Sequence, residues 1–261
     1  LQEIGEAAVP KLDQARSSTK DEQLRESITA VIYSITFEGF EQDFTTLLEQ
    51  GIDTPEDLEE ALLMFSRFDD PTLRTSALRR SLDEMADEIA PQIYAAVSER
   101  KKMLTLIQFI YGHKQFKGCE SDYLNPGHSF LHTVLSERSG IPLSLAFVIL
   151  LLARRLNLPF YGINMPLHFL VKYVTADNEH ILIDPFNNGG ILSRAQCEAF
   201  LKKSGIKAYK QHFEATQPMA MFTRFLRNLM NGYQQKQQTD KVEDLGRLLS
   251  IVESMYDNPA R

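Results

Sequence analysis

Along the first 113 residues, apolar side chains recur at intervals of three and four positions. Leu58, Leu62 and Phe65 follow this spacing. A longer series consists of Leu82, Met85, Ile89, Ile93 and Val97. Such periodicity is typical of amphipathic helices that bury one face. It predicts four to six mostly antiparallel helices over residues 1–113, of which the first two form a HEAT-like hairpin over about residues 1–40.

The pattern changes over residues 114–216. A helix is predicted to begin near Pro142, and its segment Leu145–Ala153 is apolar on all sides, which indicates a central buried helix. Short runs rich in β-branched and aromatic residues follow and predict an antiparallel sheet. These runs are Phe160–Asn164, His168–Val174 and His180–Ile183. The expected fold class is therefore α+β, with a helical region before the sheet.

Two sites carry the signals of a helix start. Thr54 precedes Pro55 and two acidic residues, an arrangement that favours capping at the helix N-terminus. Ser193 follows a tight turn at residues 187–190 and is predicted to cap a helix that continues through Lys203.

The last segment, residues 217–261, predicts a hairpin of two amphipathic helices. Phe222, Leu226 and Leu229 share a face of the first helix, and Leu245 and Leu248 share a face of the second. A pair of this length is similar to one tetratricopeptide unit, but an array needs about three repeats for stability. The hairpin is therefore expected to pack on the rest of the chain, which divides into regions 1–113, 114–216 and 217–261.

Composition narrows the class of protein. The 261 residues are 43% hydrophobic and 24% charged, which suits a globular chain, and no apolar stretch approaches the length of a membrane span. The net charge is −7, and residues 41–100 hold 15 acidic and five basic side chains, so a nucleic-acid partner is not expected. With two cysteines and no signal-like start, the expected compartment is a reducing cytoplasm, although a chain that begins at Leu1 leaves a removed leader open.

The candidate chemistry lies on the predicted sheet. If the second hairpin turns about Ala176, His168 and Asp184 lie directly opposite each other on one sheet face. They could then hydrogen-bond as the base and acid of a catalytic triad do. The alternative is a buried structural pair that ties two strands together.

A nucleophile for this pair is harder to find. The N-terminus of the central helix would lower the pKa of a cysteine, but Pro142 stands there and offers neither a thiol nor an N–H. Ser144 is the nearest hydroxyl, and two helical positions turn it about 200° away from position 142. Cys119 and Cys197 remain as candidates elsewhere in the chain.

Three motifs carry a family resemblance from about residue 57 to residue 200. They are DYLNPGHSFLHTVLSERSGIPLSLA, ARRLNLPFYGINMPLHFLVKY and ILIDPFNNGG. In this order they resemble the SirB family of bacterial transglutaminase-like proteins. The resemblance implies a papain-like transglutaminase core with helices before it and a tetratricopeptide-type tail after it.

The resemblance also assigns roles to residues. The family frame Gly-x-Cys-x-x-x-Ala falls on Gly140, Pro142 and Ala146, so the catalytic cysteine aligns with Pro142, while His168 and Asp184 match the catalytic His and Asp. The family's Pro-Gly-His-Phe reads Pro-Leu-His-Phe here, with Leu167 in place of glycine, and its Asp-Pro reads Asn-Pro at Asn125.

The sequence and the family resemblance are compatible with three functions, of which the third has the least support. The first is a catalytically degenerate transglutaminase-like protein that binds a protein or peptide in the old cleft, without a cofactor or metal. The second is a hydrolase or acyltransferase that uses Ser144, Cys119 or Cys197 with His168 and Asp184. The third is a metal-dependent reaction at His128 and His132, four positions apart, which could face the same way on a short helix predicted over residues 129–138.

Overall fold

The computed structural model describes Gly5 and residues 7–256. Within these residues the N-terminal region is helical, and the ends of the predicted first and last helices, at residues 1–4, 6 and 257–261, lie outside the described residues. Its helices are α1 (Val9–Ser18), α2 (Glu22–Gln50), α3 (Pro55–Asp69), α4 (Thr75–Tyr94) and α5 (Glu99–Gln108), followed by a π-helical turn (Phe109–His113).

The helix starts follow the local sequence. Thr54 caps α3 in a reciprocal capping box with Asp57, as its sequence predicts. The predicted apolar stripe of α4 is buried except for Val97, which is 96% exposed. Val97 lies beyond the helix because α4 ends at Tyr94 and Ser98 caps the start of α5. Its assignment to the stripe was wrong.

A buried helix, α7 (Pro142–Arg155), runs through the centre of the molecule. The segment Leu145–Ala153, which its sequence predicts to be buried on all sides, is buried except for the partly buried Leu150. Before it lie a 3₁₀ turn (Pro126–Ser129) and α6 (Leu131–Glu137), which replace the single short helix predicted over residues 129–138. Two short strands flank this region and pair in parallel, β1 (Lys117–Gly118) with β2 (Ser139–Gly140). The sequence does not predict them.

One face of an antiparallel sheet packs on α7. The strands follow chain order and are β3 (Phe160–Ile163), β4 (Leu170–Val174), β5 (His180–Asp184) and β6 (Gly190–Leu192). The other face carries a smaller apolar cluster with α8 (Arg194–Lys203), which Ser193 caps as predicted. The α+β class is thus confirmed, with the sheet between α7 and α8.

The C-terminal hairpin shares the core of the N-terminal helices. It consists of α9 (Pro218–Gln235) and α10 (Thr239–Tyr256). Phe65 of α3 contacts Phe44 of α2 and Phe222 and Phe225 of α9, with ring centroids 5.2–5.6 Å apart. A single apolar cluster extends from Phe37 to residue 252 and so joins all three predicted regions.

A half-buried lysine of the hairpin lies against this aromatic cluster. Lys241 Nζ is 3.1 Å from the ring centre of Tyr33 and 4.3 Å from that of Phe68, and it donates to the Phe68 carbonyl over 2.9 Å. Burial lowers the pKa of Lys241 to about 7, against the opposing charges of Asp69 and Asp244. The folded protein therefore binds the ammonium proton more weakly than the unfolded chain does.

This difference predicts a dependence of stability on pH. Between about pH 7 and pH 10 the unfolded chain holds more protons at Lys241, so the free energy of unfolding should increase with pH. We expect the wild-type protein to gain about 1–2 kcal/mol more than Lys241→Met between pH 6 and pH 9. Urea unfolding at both pH values tests this, and parallel pH profiles for the two proteins would contradict it.

Candidate functional site

His168 lies in the turn that precedes β4. Its backbone N–H donates to the Met165 carbonyl over 3.2 Å, and Leu167 between them has a left-handed φ of 63°. The imidazole is mostly buried, with 16% of the side chain exposed. The turn therefore places the imidazole at the end of the sheet where β4 begins.

Asp184 is the last residue of β5 and binds the imidazole directly. His168 Nε2 and Asp184 Oδ1 are 2.9 Å apart. The carboxylate also accepts bonds from the backbone N–H of Phe186 at 2.9 Å and from the side-chain amide of Asn187 at 2.7 Å. Burial by itself would raise the pKa of Asp184, but the bonds from His168 and Asn187 hold it below its ordinary value. The carboxylate is thus charged and the ring orientation fixed.

The hydrogen bond forms in a register different from the predicted one. The pairing of Val174 with His180 centres the hairpin on Asp177 instead of Ala176. The predicted direct opposition of His168 and Asp184 is therefore wrong, because His168 precedes the paired part of β4. The two side chains still meet, since one lies just before β4 and the other at the adjacent end of β5.

The loop after Asp184 is held by contacts that the sequence does not reveal. The Tyr111 hydroxyl donates to the Pro185 carbonyl over 2.7 Å. Gly189 has a φ of 70°, and a Cβ there would collide with Ile107. A side chain at Gly118 would meet the Phe186 carbonyl at 2.6 Å. The π-helical turn and β1 thus fix the position of the Asp184 loop.

The predicted nucleophile positions do not supply one to His168. Pro142 is the buried first residue of α7. The Ser144 hydroxyl lies 2.6 Å from the His128 carbonyl and 3.1 Å from the Ile141 carbonyl. Its hydrogen is therefore donated to the backbone and not to His168. Among the described residues, no Ser or Cys hydrogen-bonds to either ring nitrogen of His168.

Neither cysteine shows the environment of a reactive thiol. Cys119 is buried after β1, and burial raises its pKa to about 11. Cys197 is buried on α8 in the smaller apolar cluster, and burial together with the charge of Asp184 raises its pKa. Because the thiolate is the nucleophile, both groups are poorly suited to attack.

His128 and His132 do not face the same way. His128 lies in the 3₁₀ turn with Nδ1 4.0 Å from Glu137, whereas His132 lies on α6 with Nε2 3.3 Å from Asp69. The predicted common helix was wrong because Phe130 separates the turn from α6. Across the described part of the chain, no group of three or more His, Cys, Asp or Glu residues could hold a metal ion.

A cavity of about 840 Å³ lies beside the Asp184 loop. It is lined by residues of the loop and of the segments around β1 and β2, among them Phe186, Asn187, Cys119, His128 and Glu137. Within the described residues, no helix has the length and apolar character needed to cross a membrane. His168 and Asp184 thus have the hydrogen bond that a triad base and acid share, the loop after Asp184 lines a cavity, and no described Ser or Cys bonds to the pair.

Known proteins are similar in sequence to part of this chain. The UPF0162 protein of Xylella fastidiosa (strain Temecula1) is 29% identical over 158 residues, 58% of this chain and 56% of the relative. The UPF0162 protein of Pseudomonas aeruginosa is 34% identical over 148 residues, 55% and 54% of the two chains. F-box only protein 21 of Mus musculus is 35% identical over 107 residues, 38% of this chain and 17% of that protein.

The aligned part thus spans about half the length of the bacterial relatives. No solved structure matches the chain significantly. Residues 76–227, which include α7, the whole sheet and the His168–Asp184 pair, match the transglutaminase-like superfamily. Since this match covers more than half of the chain, the protein belongs to the transglutaminase-like superfamily.

Proposed function

We propose that this protein is a catalytically degenerate transglutaminase-like protein with a regulatory role. It binds a protein or peptide in the cleft at the His168–Asp184 pair, which corresponds to the active-site cleft of the family. The observation that carries the proposal is the intact His168–Asp184 hydrogen bond in a chain that has Pro142 where the family resemblance expects the catalytic cysteine. Loss of the nucleophile of a triad costs roughly 10⁶ in rate, which ends covalent acyl transfer. A cleft that has lost acyl transfer can still bind a protein or peptide.

Exposed apolar side chains around His168 support binding. We call Tyr123, Leu167 and Phe200 the cleft rim, since they are 46%, 63% and 43% exposed. The Phe200 ring centre is 6.4 Å from that of His168, and the Tyr123 ring packs edge-on against Phe186 at 5.9 Å. Apolar surface therefore flanks the His168–Asp184 pair, as expected where another chain docks.

Leu167 adds an energetic argument. It occupies the position where the family motif has glycine, and its φ of 63° lies in the left-handed region that costs a residue with a side chain about 1 kcal/mol. The side chain is also largely exposed. Strain retained by an exposed apolar residue beside the site is readily explained by contact with a partner.

The finer family assignment belongs to the same proposal. The order of the motifs and the bacterial UPF0162 relatives support membership of the SirB family. The short link between the packed helices α9 and α10 supports a tetratricopeptide-like tail. The acidic charge balance and the two buried free cysteines favour a protein partner in the cytoplasm over a nucleic acid.

The test is a displayed peptide library selected on the full chain, followed by affinity measurements on the enriched peptides. We expect Leu167→Gly to weaken binding by about tenfold or more, because it removes an apolar anchor. The same variant should be about 1 kcal/mol more stable, because glycine relieves the left-handed strain. Loss of binding with a gain in stability separates a contact role from a folding role.

The matched control is Val97→Ser, which removes an exposed apolar side chain far from His168 in sequence and outside the cleft rim. It should leave peptide affinity unchanged. Mass spectrometry of the recovered peptides should show unmodified chains. A cleaved, deamidated or cross-linked peptide would overturn the degenerate assignment, and equal binding by wild type and Leu167→Gly would overturn the cleft as the binding surface.

A further inference from the structure

Arg224 of α9 is bound to the turn that carries His168. Its Nη1 donates to the Met165 carbonyl over 3.0 Å and to the Asn164 side chain. The same Met165 carbonyl accepts the backbone N–H of His168. The guanidinium is therefore two hydrogen bonds away from the backbone of the catalytic-type histidine.

Arg224 lacks the carboxylate partner that Arg155 and Arg16 have. Arg155 pairs with Glu59 at 2.7 Å and Arg16 with Asp70 at 3.0 Å. Within the described residues no carboxylate lies within 4.0 Å of Arg224, and its Nε and Nη2 make no hydrogen bond. Burial lowers the pKa of Arg224, with only Tyr123 opposing. The residue is half-buried, and its Nε and Nη2 are not fully enclosed, so a ligand can reach them. A partly desolvated guanidinium without a carboxylate is stabilised when an anion binds to it.

The free edge of the guanidinium has the geometry for a carboxylate. Phe169 covers one face, with its ring centre 5.6 Å from Cζ, and Nη1 is occupied by the turn. Nε and Nη2 remain, and two parallel N–H groups of an arginine bind a carboxylate in a bidentate manner. Arg224 is linked to the cleft through the Met165 carbonyl, which also accepts the backbone N–H of His168.

We propose that Arg224 recognises the acidic side chain of an extended peptide that crosses the cleft at His168. The inference rests on the proposed binding function and names the chemistry of its partner. Tyr123, Leu167 and Phe200 protrude while Arg224 is half-buried, so a side chain reaching down from a chain across the rim meets the guanidinium. Phe200 lies near His168, and Tyr123 packs against Phe186 of the Asp184 loop. A peptide that contacts both side chains would therefore pass through the cleft.

Three N-acetylated tripeptides test the assignment by NMR with the full chain. They are N-acetyl-leucyl-glutamyl-phenylalanine amide, its glutaminyl counterpart, and the glutaminyl peptide with a free terminal carboxylate. We expect the glutamyl peptide to bind about tenfold more tightly than the glutaminyl amide, since a charged hydrogen-bonded contact contributes about 1.5–3 kcal/mol. It should also shift the Nε–H signal of Arg224 and the ring signals of His168.

Arg224→Gln should abolish the preference for the glutamyl peptide. Arg227→Gln, on the same helix and exposed, should keep it and controls for the change in net charge. Equal binding of the glutamyl and glutaminyl amides by the wild-type protein would overturn the role of Arg224 and leave the binding function standing. This comparison holds even if Arg224→Gln does not fold.

Three further outcomes would overturn the proposal. A preference for the free terminal carboxylate over the glutamyl side chain would replace the proposed partner with a chain terminus. If no peptide shifts the signals of His168, both the acidic-peptide assignment and the cleft as binding surface fail. A shift at Arg224 without one at His168 would separate an anion site from the cleft and overturn the proposal.

Discussion

The Pro142→Cys variant is expected to react with iodoacetamide at position 142 about ten times faster than Ser144→Cys does at position 144, at pH 7. Position 142 begins α7, where the helix dipole stabilises a thiolate, and the family resemblance aligns it with the cysteine that pairs with the catalytic His. Positions 142 and 144 are both buried, so the comparison is between thiols of similar burial. A thiol pKa lowered from about 8.5 to about 7 raises the reactive fraction by roughly tenfold. Mass spectrometry of alkylated peptides measures each site separately from the buried Cys119 and Cys197.

Ser144→Cys is the matched control because it adds the same group two residues later in the same helix. There the side chain faces the carbonyl oxygens of His128 and Ile141, which disfavour a thiolate. Adding His168→Gln to Pro142→Cys should slow the alkylation, because the imidazole no longer supports the charge. Equal rates for the two cysteine variants would show that position 142 does not face the His168–Asp184 pair.

Replacing Glu59 with alanine is expected to destabilise the protein by about 3 kcal/mol. It removes the buried carboxylate that Arg154 and Arg155 share and leaves them only their more exposed partners Glu56 and Asp83. Glu59 is 1% exposed and accepts bonds from Arg154 at 2.6 Å and from Arg155 at 2.7 and 2.8 Å. Burial alone would raise the pKa of Glu59, but the two arginines hold it below its ordinary value. The contact fixes α3 against the end of α7, and urea unfolding measures its loss.

Glu60→Ala is the matched control for that change. Glu60 is the next residue of α3 and pairs with Arg79 at the surface, where half of each side chain is in solvent. Its removal should cost less than about 1 kcal/mol. Similar losses for the two variants would mean that the buried carboxylate adds nothing beyond an ordinary surface ion pair.

The sequence predicts the elements of this fold better than their boundaries. The apolar stripe of α4 and the capping residues Thr54 and Ser193 are local signals, and the structure confirms them. β1 and β2 are two residues long and pair in parallel across a gap of some twenty positions, so no local pattern marks them. Val97 continues the apolar spacing but lies past the end of the helix.

The site shows the same division between local and tertiary information. The contact of His168 with Asp184 follows from hairpin spacing, although a shift of the hairpin centre by one residue changes the strand partners. Arg224 and Tyr111 approach the site from α9 and from the π-helical turn. Such approaches depend on how distant elements pack, and short-range periodicity does not contain that information.

The single apolar cluster has a consequence for how the protein can be divided. The segment shared with the superfamily ends at residue 227, in the middle of α9, whereas Phe222 and Phe225 of that helix pack on Phe65 outside the segment. A fragment cut at the limits of similarity would open this aromatic contact to water. The segment that matches the superfamily is therefore smaller than the apolar cluster in which it packs, and substitutions in the flanking helices can affect the stability of the cleft.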